Sequence, residues 1–272
     1  MPKTRLDVLI LQRNLAESRS LAQRLVMAGQ VRVDGQVVLK PSALISDEVE
    51  IKVDRGPQFV SRGGEKLQAA LESFPVEVNG RICADVGAST GGFTDCLLQH
   101  GAAKVYAIDV GYGLLHWKLR SHPQVVSMER ANARFIERLP EPITLATIDA
   151  SFISLKLLLP VVRGWFFSGG GTVVALIKPQ FEAGRAEAAR GEGVIHDPEV
   201  HRHVLIEVLS FAETAGFAAR GLIASPLLGP KGNAEFLAWL DLNDVPAGSR
   251  LDGMVKSALS QVKKIGYTSS GL

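Results

Sequence analysis

Asp85-Val86-Gly87-Ala88-Ser89-Thr90-Gly91-Gly92-Phe93-Thr94 sets one acid ahead of a glycine-rich turn, at the end of an apolar run that begins at Ile82. Gly87, Gly91 and Gly92 mark backbone that bends tightly or lies against a ligand. A strand, a glycine turn and a helix in this order form a nucleotide-type site at the carboxyl edge of a parallel sheet. The spacing Asp-x-Gly-x-x-x-Gly-Gly differs from the dinucleotide fingerprint and lacks the Gly-Lys-Ser/Thr ending of a phosphate loop, so no pyrophosphate cradle is indicated. An acid at the strand end suits a ligand with an ammonium group, such as S-adenosylmethionine. The plain alternative is an ordinary strand-to-helix turn.

Other titratable residues close apolar runs. Asp109 follows Lys104-Val105-Tyr106-Ala107-Ile108, 24 residues beyond Asp85. That separation suits a carboxylate holding a cofactor ribose. Asp149 and Lys178 also end apolar runs. Each reads equally as a helix cap or a surface charge. Lys66 opens a helical pattern (Leu67, Ala70, Leu71, Phe74) and by itself reads as a surface lysine.

The elements that must carry these residues alternate. Strands are expected at 82–86, 104–109, 125–129, 143–149, 171–178, 217–224 and 234–240, the last carrying Glu235. Helical patterns lie between several of them, as at 155–162 and 199–215, and a final stripe runs from Leu251 to Val262. Such alternation predicts an α/β, Rossmann-like parallel sheet with helices on both faces. Residues 180–198, with Gly184, Arg185, Gly191 and Gly193, read as a long functional or mobile loop. The tail 267–272 reads as loose.

The first 60 residues follow a different plan. Leu6, Leu9 and Ile10 predict one short helix, and Ser18 caps a second with Leu21, Leu25 and Ala28 on one face. Asp34-Gly35 is a two-residue hairpin turn between Val31-Arg32-Val33 and Gln36-Val37-Val38, and Val49–Val53 is a last strand. Residues 1–45 hold seven Lys/Arg against three Asp/Glu, a net +4, so the remaining residues of a chain with net charge +2 carry −2. This small α+β segment resembles the S4 RNA-binding domain, on Arg5-Leu6-Asp7, Ser18-Arg19-Ser20 and Ala28-Gly29-Gln30-Val31-Arg32-Val33-Asp34-Gly35. The resemblance implies that Arg5, Arg19, Arg24, Arg32 and Lys40 meet RNA phosphates, contacts that position RNA without reading its sequence. Otherwise they are solvated surface charges. The expected division is an S4-like domain over 1–60, a linker over about 54–64 containing Asp54-Arg55-Gly56-Pro57 and Ser61-Arg62-Gly63-Gly64, and a catalytic domain over 65–272.

Composition excludes other classes. Of 272 residues, 46% are hydrophobic and 21% charged, which fits a globular protein with a substantial core. Two cysteines, Cys83 and Cys96, are too few for a disulfide framework and suit a reducing, cytoplasmic setting. The apolar stretch Gly164–Ile177 is too short and glycine-rich for a membrane span. No signal peptide is read at the start, and no metal is required.

Four further strings complete a pattern. They are Ser61-Arg62-Gly63-Gly64-Glu65-Lys66-Leu67, Thr147-Ile148-Asp149-Ala150-Ser151-Phe152-Ile153-Ser154-Leu155, Leu176-Ile177-Lys178-Pro179-Gln180-Phe181-Glu182 and Gly229-Pro230-Lys231-Gly232-Asn233-Ala234-Glu235-Phe236. With the glycine turn and the S4-like start, the chain resembles the haemolysin A (TlyA-type) rRNA methyltransferases of the FtsJ-like fold, up to about Leu240. The resemblance implies S-adenosylmethionine-dependent methylation of a cytidine ribose 2′-oxygen in small- or large-subunit rRNA. It places a Lys-Asp-Lys-Glu tetrad on Lys66, Asp149, Lys178 and Glu235. Leu114 and His122 depart from the family pattern, which usually has Gln and Asp there.

The chemistry suits those residue types. A 2′-hydroxyl attacks a methyl group only as it loses its proton, and a lysine accepts a proton only as the neutral amine, which desolvation or a nearby cation favours. On this reading Lys178 is the base and Lys66 the nearby cation that also steadies the developing alkoxide. Asp149 orients Lys178, and Glu235 positions Lys66 or the ribose. Asp85, Gly87, Ser89, Gly91, Gly92 and Phe93 hold the methionine end of the cofactor, Asp109 its ribose and Asn132 its adenine. Two alternatives stand beside this: an RNA-binding protein whose methyltransferase fold is idle, and a membrane-lytic haemolysin. The second lacks a lysine-rich helix with a large exposed apolar face.

Overall fold

A computed structural model describes residues 3–54, 56–168, 170–184, 193–242 and 250–268. The chain forms two compact units, Met1–Gln58 and Phe59–Leu272.

In the first unit, β1 (Lys3–Arg5) leads into α1 (Leu6–Gln12), followed by α2 (Arg19–Met27), β2 (Val31–Val33), β3 (Gln36–Val37), β4 (Leu44–Ser46) and β5 (Ile51–Val53). Ser18 Oγ accepts from Leu21 N at 3.2 Å, the cap expected for α2. Asp34 and Gly35 both take positive φ, 46° and 81°, the conformation that lets a two-residue turn follow the strand twist. β3, β2 and β5 form one antiparallel sheet. Leu6, Ile10, Ala22 and Val26 of the two helices and Val31 of β2 are fully buried in one core. The sequence reading missed β1 and β4, which pair antiparallel with Arg5 opposite Leu44. Strands of three residues are too short to show a periodicity.

The second unit begins earlier than composition suggests. Phe59 is buried, and α3 (Gly63–Ser73) already includes the glycines assigned to a linker. Gly64 is there for space, since a Cβ on it would lie 2.2 Å from the Phe59 ring. β6 (Ile82–Val86), α4 (Gly92–Gln99), β7 (Lys104–Ile108), α5 (Trp117–Arg120), β8 (Val125–Met128), β9 (Leu145–Ile148), α6 (Leu155–Arg163) and β10 (Thr172–Ile177) follow. After them come α7 (Pro179–Glu182), α8 (Pro198–Thr214), β11 (Ala218–Ala224), β12 (Phe236–Asp241) and α9 (Leu251–Thr268). Helix α7 occupies the start of the expected 180–198 loop. Residues 185–192, including Arg185 and Gly191, lie outside the described residues, as do 269–272 of the tail.

One seven-stranded sheet has the order β11-β12-β10-β9-β6-β7-β8. β12 runs antiparallel to both its neighbours, and the other pairings are parallel. Side chains alternate between two buried faces. Val173, Ala175 and Ile177 of β10 pack with α6, α8 and α9, whereas Val174 and Leu176 pack with α3 and α4. Helices on both faces follow from strands that are apolar on both sides. Among the described residues no helix is long and apolar enough to cross a membrane.

Candidate active site

The carboxyl ends of β6, β9 and β10 meet the antiparallel start of β12. Lys178 follows β10 and is fixed by Pro179 at the first position of α7. Ile177 pairs with Phe236, so the register carries Glu235 to the position beside Lys178. Asp149 follows β9, where its N–H donates to Val86 O at 2.9 Å. Lys66 arrives from the first turn of α3 on the glycine pair, Gly63-Gly64.

These four side chains form two ion pairs. Lys178 Nζ stands 2.6 Å from Asp149 Oδ1, and Lys66 Nζ stands 2.6 Å from Glu235 Oε2. All are largely withdrawn from solvent: the side chains of Lys178 and Lys66 are 9% and 13% exposed, and that of Glu235 is 0% exposed. Lys178 Nζ also donates to Ser151 Oγ at 3.0 Å and to Asp149 O at 3.4 Å. Glu235 Oε1 is buried and has no hydrogen-bond partner among the described residues. Gly229 packs directly on it, for a Cβ there would lie 2.1 Å from Oε1.

The pairs face a cavity of about 720 Å³, within the size range of small-ligand sites. The glycine turn contributes Gly87, Ala88, Ser89, Thr90, Gly92 and Phe93 to its wall. Gly87 needs its missing side chain twice over: φ is +84°, and a Cβ would lie 2.7 Å from Asp149 O. Gly91, at φ +99°, is filled behind by Leu115 and Leu119 and does not line the cavity. Ser89 is exposed at the turn's tip, and Phe93 is mostly core.

Asp85 differs from the expectation. It is fully buried and absent from the cavity wall. Its carboxylate accepts from Thr94 Oγ1 at 2.7 Å and from Thr147 Oγ1 at 3.1 Å, tying β6 to α4 and β9. Burial pushes its pKa up to about 7 against those hydrogen bonds. A strand-end acid in sequence cannot reveal that neighbouring threonines enclose it; Asp85 braces the turn through Thr94 and Thr147 and does not line the cavity.

Asp109 and Asn132 stand together on the adjoining edge, outside the cavity wall. Asp109 accepts from Ser89 N at 2.8 Å and Gly111 N at 2.7 Å, so each oxygen keeps lone pairs for a further donor. Ala131 N donates to Asp109 O at 2.9 Å, which brings Asn132 alongside; Asn132 Oδ1 accepts from Arg134 N. Main chain bare of side chains, a carboxylate with spare acceptors and an amide at one sheet edge suit a cofactor that joins an amino acid to a nucleoside.

Sequence reasoning passed over Ser151, Phe152 and Gln180, which also line the cavity. Phe152 is 90% exposed, takes φ +63°, and lies 4.9 Å from the Phe181 ring. An aromatic residue directly after a strand-end Asp-Ala-Ser was the available signal. In the first unit, Arg5 and Arg19 both engage Asp7, and Arg24, Arg32 and Lys40 are exposed.

Both units of the chain resemble known proteins. Residues 59–242 match the FtsJ-like methyltransferase family, and residues 4–51 match the S4 domain. YqxC of Bacillus subtilis is 48% identical over 245 residues, 88% of this chain and 85% of that protein. The 16S/23S rRNA (cytidine-2'-O)-methyltransferase TlyA of Mycobacterium tuberculosis is 45% identical over 242 residues, 88% of this chain and 90% of that protein. A solved structure of a hemolysin-like protein from Streptococcus thermophilus matches with a TM-score of 0.73 at 43% identity, covering 100% of both chains. The chain therefore belongs to the FtsJ-like methyltransferase family, in the TlyA and hemolysin A branch that joins this domain to an S4 domain.

Proposed function

We propose that this protein transfers a methyl group from S-adenosylmethionine to the ribose 2′-oxygen of a cytidine in ribosomal RNA, acting in the cytoplasm on one or both ribosomal subunits. One observation carries the reading: two lysine–carboxylate pairs face one cavity whose wall is the glycine turn. The cofactor, when bound, supplies the electrophilic methyl group.

Gly87 to Gly92 would hold its methionine end, Asp109 its ribose and Asn132 its adenine. Lys178 takes the 2′-hydroxyl proton after giving up its own to water, a loss that Lys66 and the bound cofactor's positive charge favour. The resulting amine keeps two N–H bonds, to Asp149 Oδ1 and Ser151 Oγ, and turns its lone pair to the cavity. Lys66, fixed by Glu235, presents positive charge to the developing alkoxide in a site sheltered from water, where such charge counts most. Alignment of hydroxyl and methyl group then supplies much of the acceleration. Phe152, with Phe181 behind it, offers an exposed face for the base of the reacting nucleotide; bases removed from a helix stack on aromatic side chains. Arg5, Arg19, Arg24, Arg32 and Lys40 dock the RNA through its phosphates.

The test is transfer of labelled methyl from S-adenosylmethionine to purified ribosomal subunits by wild type and Lys178→Ala. Label at a cytidine 2′-oxygen, absent with the variant although RNA binding persists, is the expected result. Cofactor binding without label on either subunit would overturn the reading.

A further inference from the structure

Asp7 sits in the first turn of α1 with its side chain 0% exposed, and its carboxylate accepts four hydrogen bonds from three side chains. Arg5 grips it with two prongs, Nε to Oδ1 at 3.0 Å and Nη2 to Oδ2 at 2.9 Å. Arg19 Nε and Gln23 Nε2 donate to Oδ2 at 3.0 and 2.7 Å. The Arg5 bonds hold the Asp7 carboxyl well below the usual carboxylate range, so it stays charged. One buried acid thus gathers the end of β1, the start of α2 and the next turn of α2.

The arrangement exceeds what a structural ion pair needs. One arginine would neutralise Asp7, and the second leaves a positive charge over. Neither guanidinium is used up. Nη1 of Arg5 and both Nη atoms of Arg19 donate no hydrogen bond among the described residues, and the two side chains are 40% and 51% exposed. Arg13 in the same unit shows the contrast, with both Nη atoms consumed by the carbonyls of Val49 and Asp47.

We infer that Asp7 is a positioning residue that fixes Arg5 and Arg19 as a preformed fork for one backbone phosphate of RNA. The inference rests on the reading of the first unit as the part that docks RNA. Two guanidiniums already anchored through one edge lose little freedom when a phosphodiester arrives, and their free edges match its two non-bridging oxygens. Charge complementarity favours RNA as the occupant, because residues 1–45 carry a net +4 and Arg24, Arg32 and Lys40 are exposed in the same unit.

Charge and position make opposite predictions for Asp7→Asn. Removing a negative charge beside a phosphate site should tighten binding if charge alone mattered. If Asp7 sets the fork, binding weakens despite the added positive charge. The experiment measures affinity of the full-length protein for purified ribosomal subunits at several salt concentrations. Wild type, Asp7→Asn and the pair Arg5→Lys/Arg19→Lys are compared, with thermal melting as the folding control. Asp7→Asn is expected to bind about ten-fold more weakly at each salt concentration. The lysine pair, which keeps both charges and loses the planar fork, should fall by a similar factor with its salt slope little changed. Equal or tighter binding by folded Asp7→Asn overturns the inference. Should that variant not fold, the lysine pair decides: wild-type affinity overturns the inference, and weakened binding supports it. Wild-type protein that binds neither subunit overturns the RNA-docking reading, and the fork with it.

Discussion

Lys66 Nζ and Glu235 Oε2, 169 residues apart in the chain, stand 2.6 Å apart at the cavity, with the Glu235 side chain shut off from solvent. The second lysine–carboxylate pair, Lys178 with Asp149, balances it, so two cations and two anions form a neutral group. Neutrality lets two lysines stay together in a secluded place before any substrate arrives.

That balance makes each member costly to remove alone. Glu235→Gln strands Lys66, and Lys66→Met strands Glu235; each should cost about 3 kcal/mol of stability, as broken buried pairs do. The double variant should recover most of the loss and still transfer no methyl group. Thermal melting and methyl transfer, measured on all three, check this. Additive losses in the double variant would show that the two residues are not coupled.

Gly229 tests the geometry from the other side. Its φ is −71°, so alanine strains no backbone there, yet its Cβ would lie 2.1 Å from Glu235 Oε1. Gly229→Ala should displace Glu235 and cut kcat by about ten-fold or more, with a stability loss of about 1–3 kcal/mol from overpacking. Unchanged turnover would mean that Glu235 can move without consequence.

Phe152→Ala separates RNA contact from cofactor contact. The side chain is 90% exposed, so melting should shift by less than about 0.5 kcal/mol equivalent. Loss of one stacked base should raise KM for subunits about ten-fold. Cofactor affinity, read by calorimetry, should hold; a parallel loss of cofactor affinity would reject the base-stacking role.

Asp85 gives the protein a pH dependence with a definite sign. Burial raises its pKa from 3.8 to about 7 in the folded chain. The stability it contributes is complete below about pH 4, declines between about pH 4 and pH 7, and is gone above that. The span amounts to at most about 4 kcal/mol. Asp85→Asn, fixed as neutral, should therefore be more stable than wild type at about pH 8, and this advantage should shrink as the pH falls and disappear only near about pH 4. Melting curves across that range decide it, and parallel profiles for the two proteins would reject a buried titrating Asp85.

The local features were legible because their physics is local. Ser18 caps α2 through a bond to Leu21, and Asp34-Gly35 turns a hairpin through two positive φ angles. Gly87 bends because its own backbone must. The same local logic failed where packing decides. Gly63 and Gly64 read as linker residues, yet Gly64 makes room for Phe59 in a core. Asp85 read as a ligand contact, yet Thr94 and Thr147 enclose it.

By itself the sequence determined the alternating α/β plan, the basic α+β start and the strand-end positions of Asp149 and Lys178, since each is written in periodicity, charge or turn residues a few positions apart. The pairing of each lysine with its acid came from the family resemblance, and only the tertiary structure shows how it is made. Lys66 reaches Glu235 because β12 enters the sheet antiparallel beside β10, bringing Phe236 opposite Ile177 and the preceding acid to the mouth of the cavity. No spacing along the chain encodes that meeting, because strand order and register are set by which faces bury together, and burial is a property of the whole sheet.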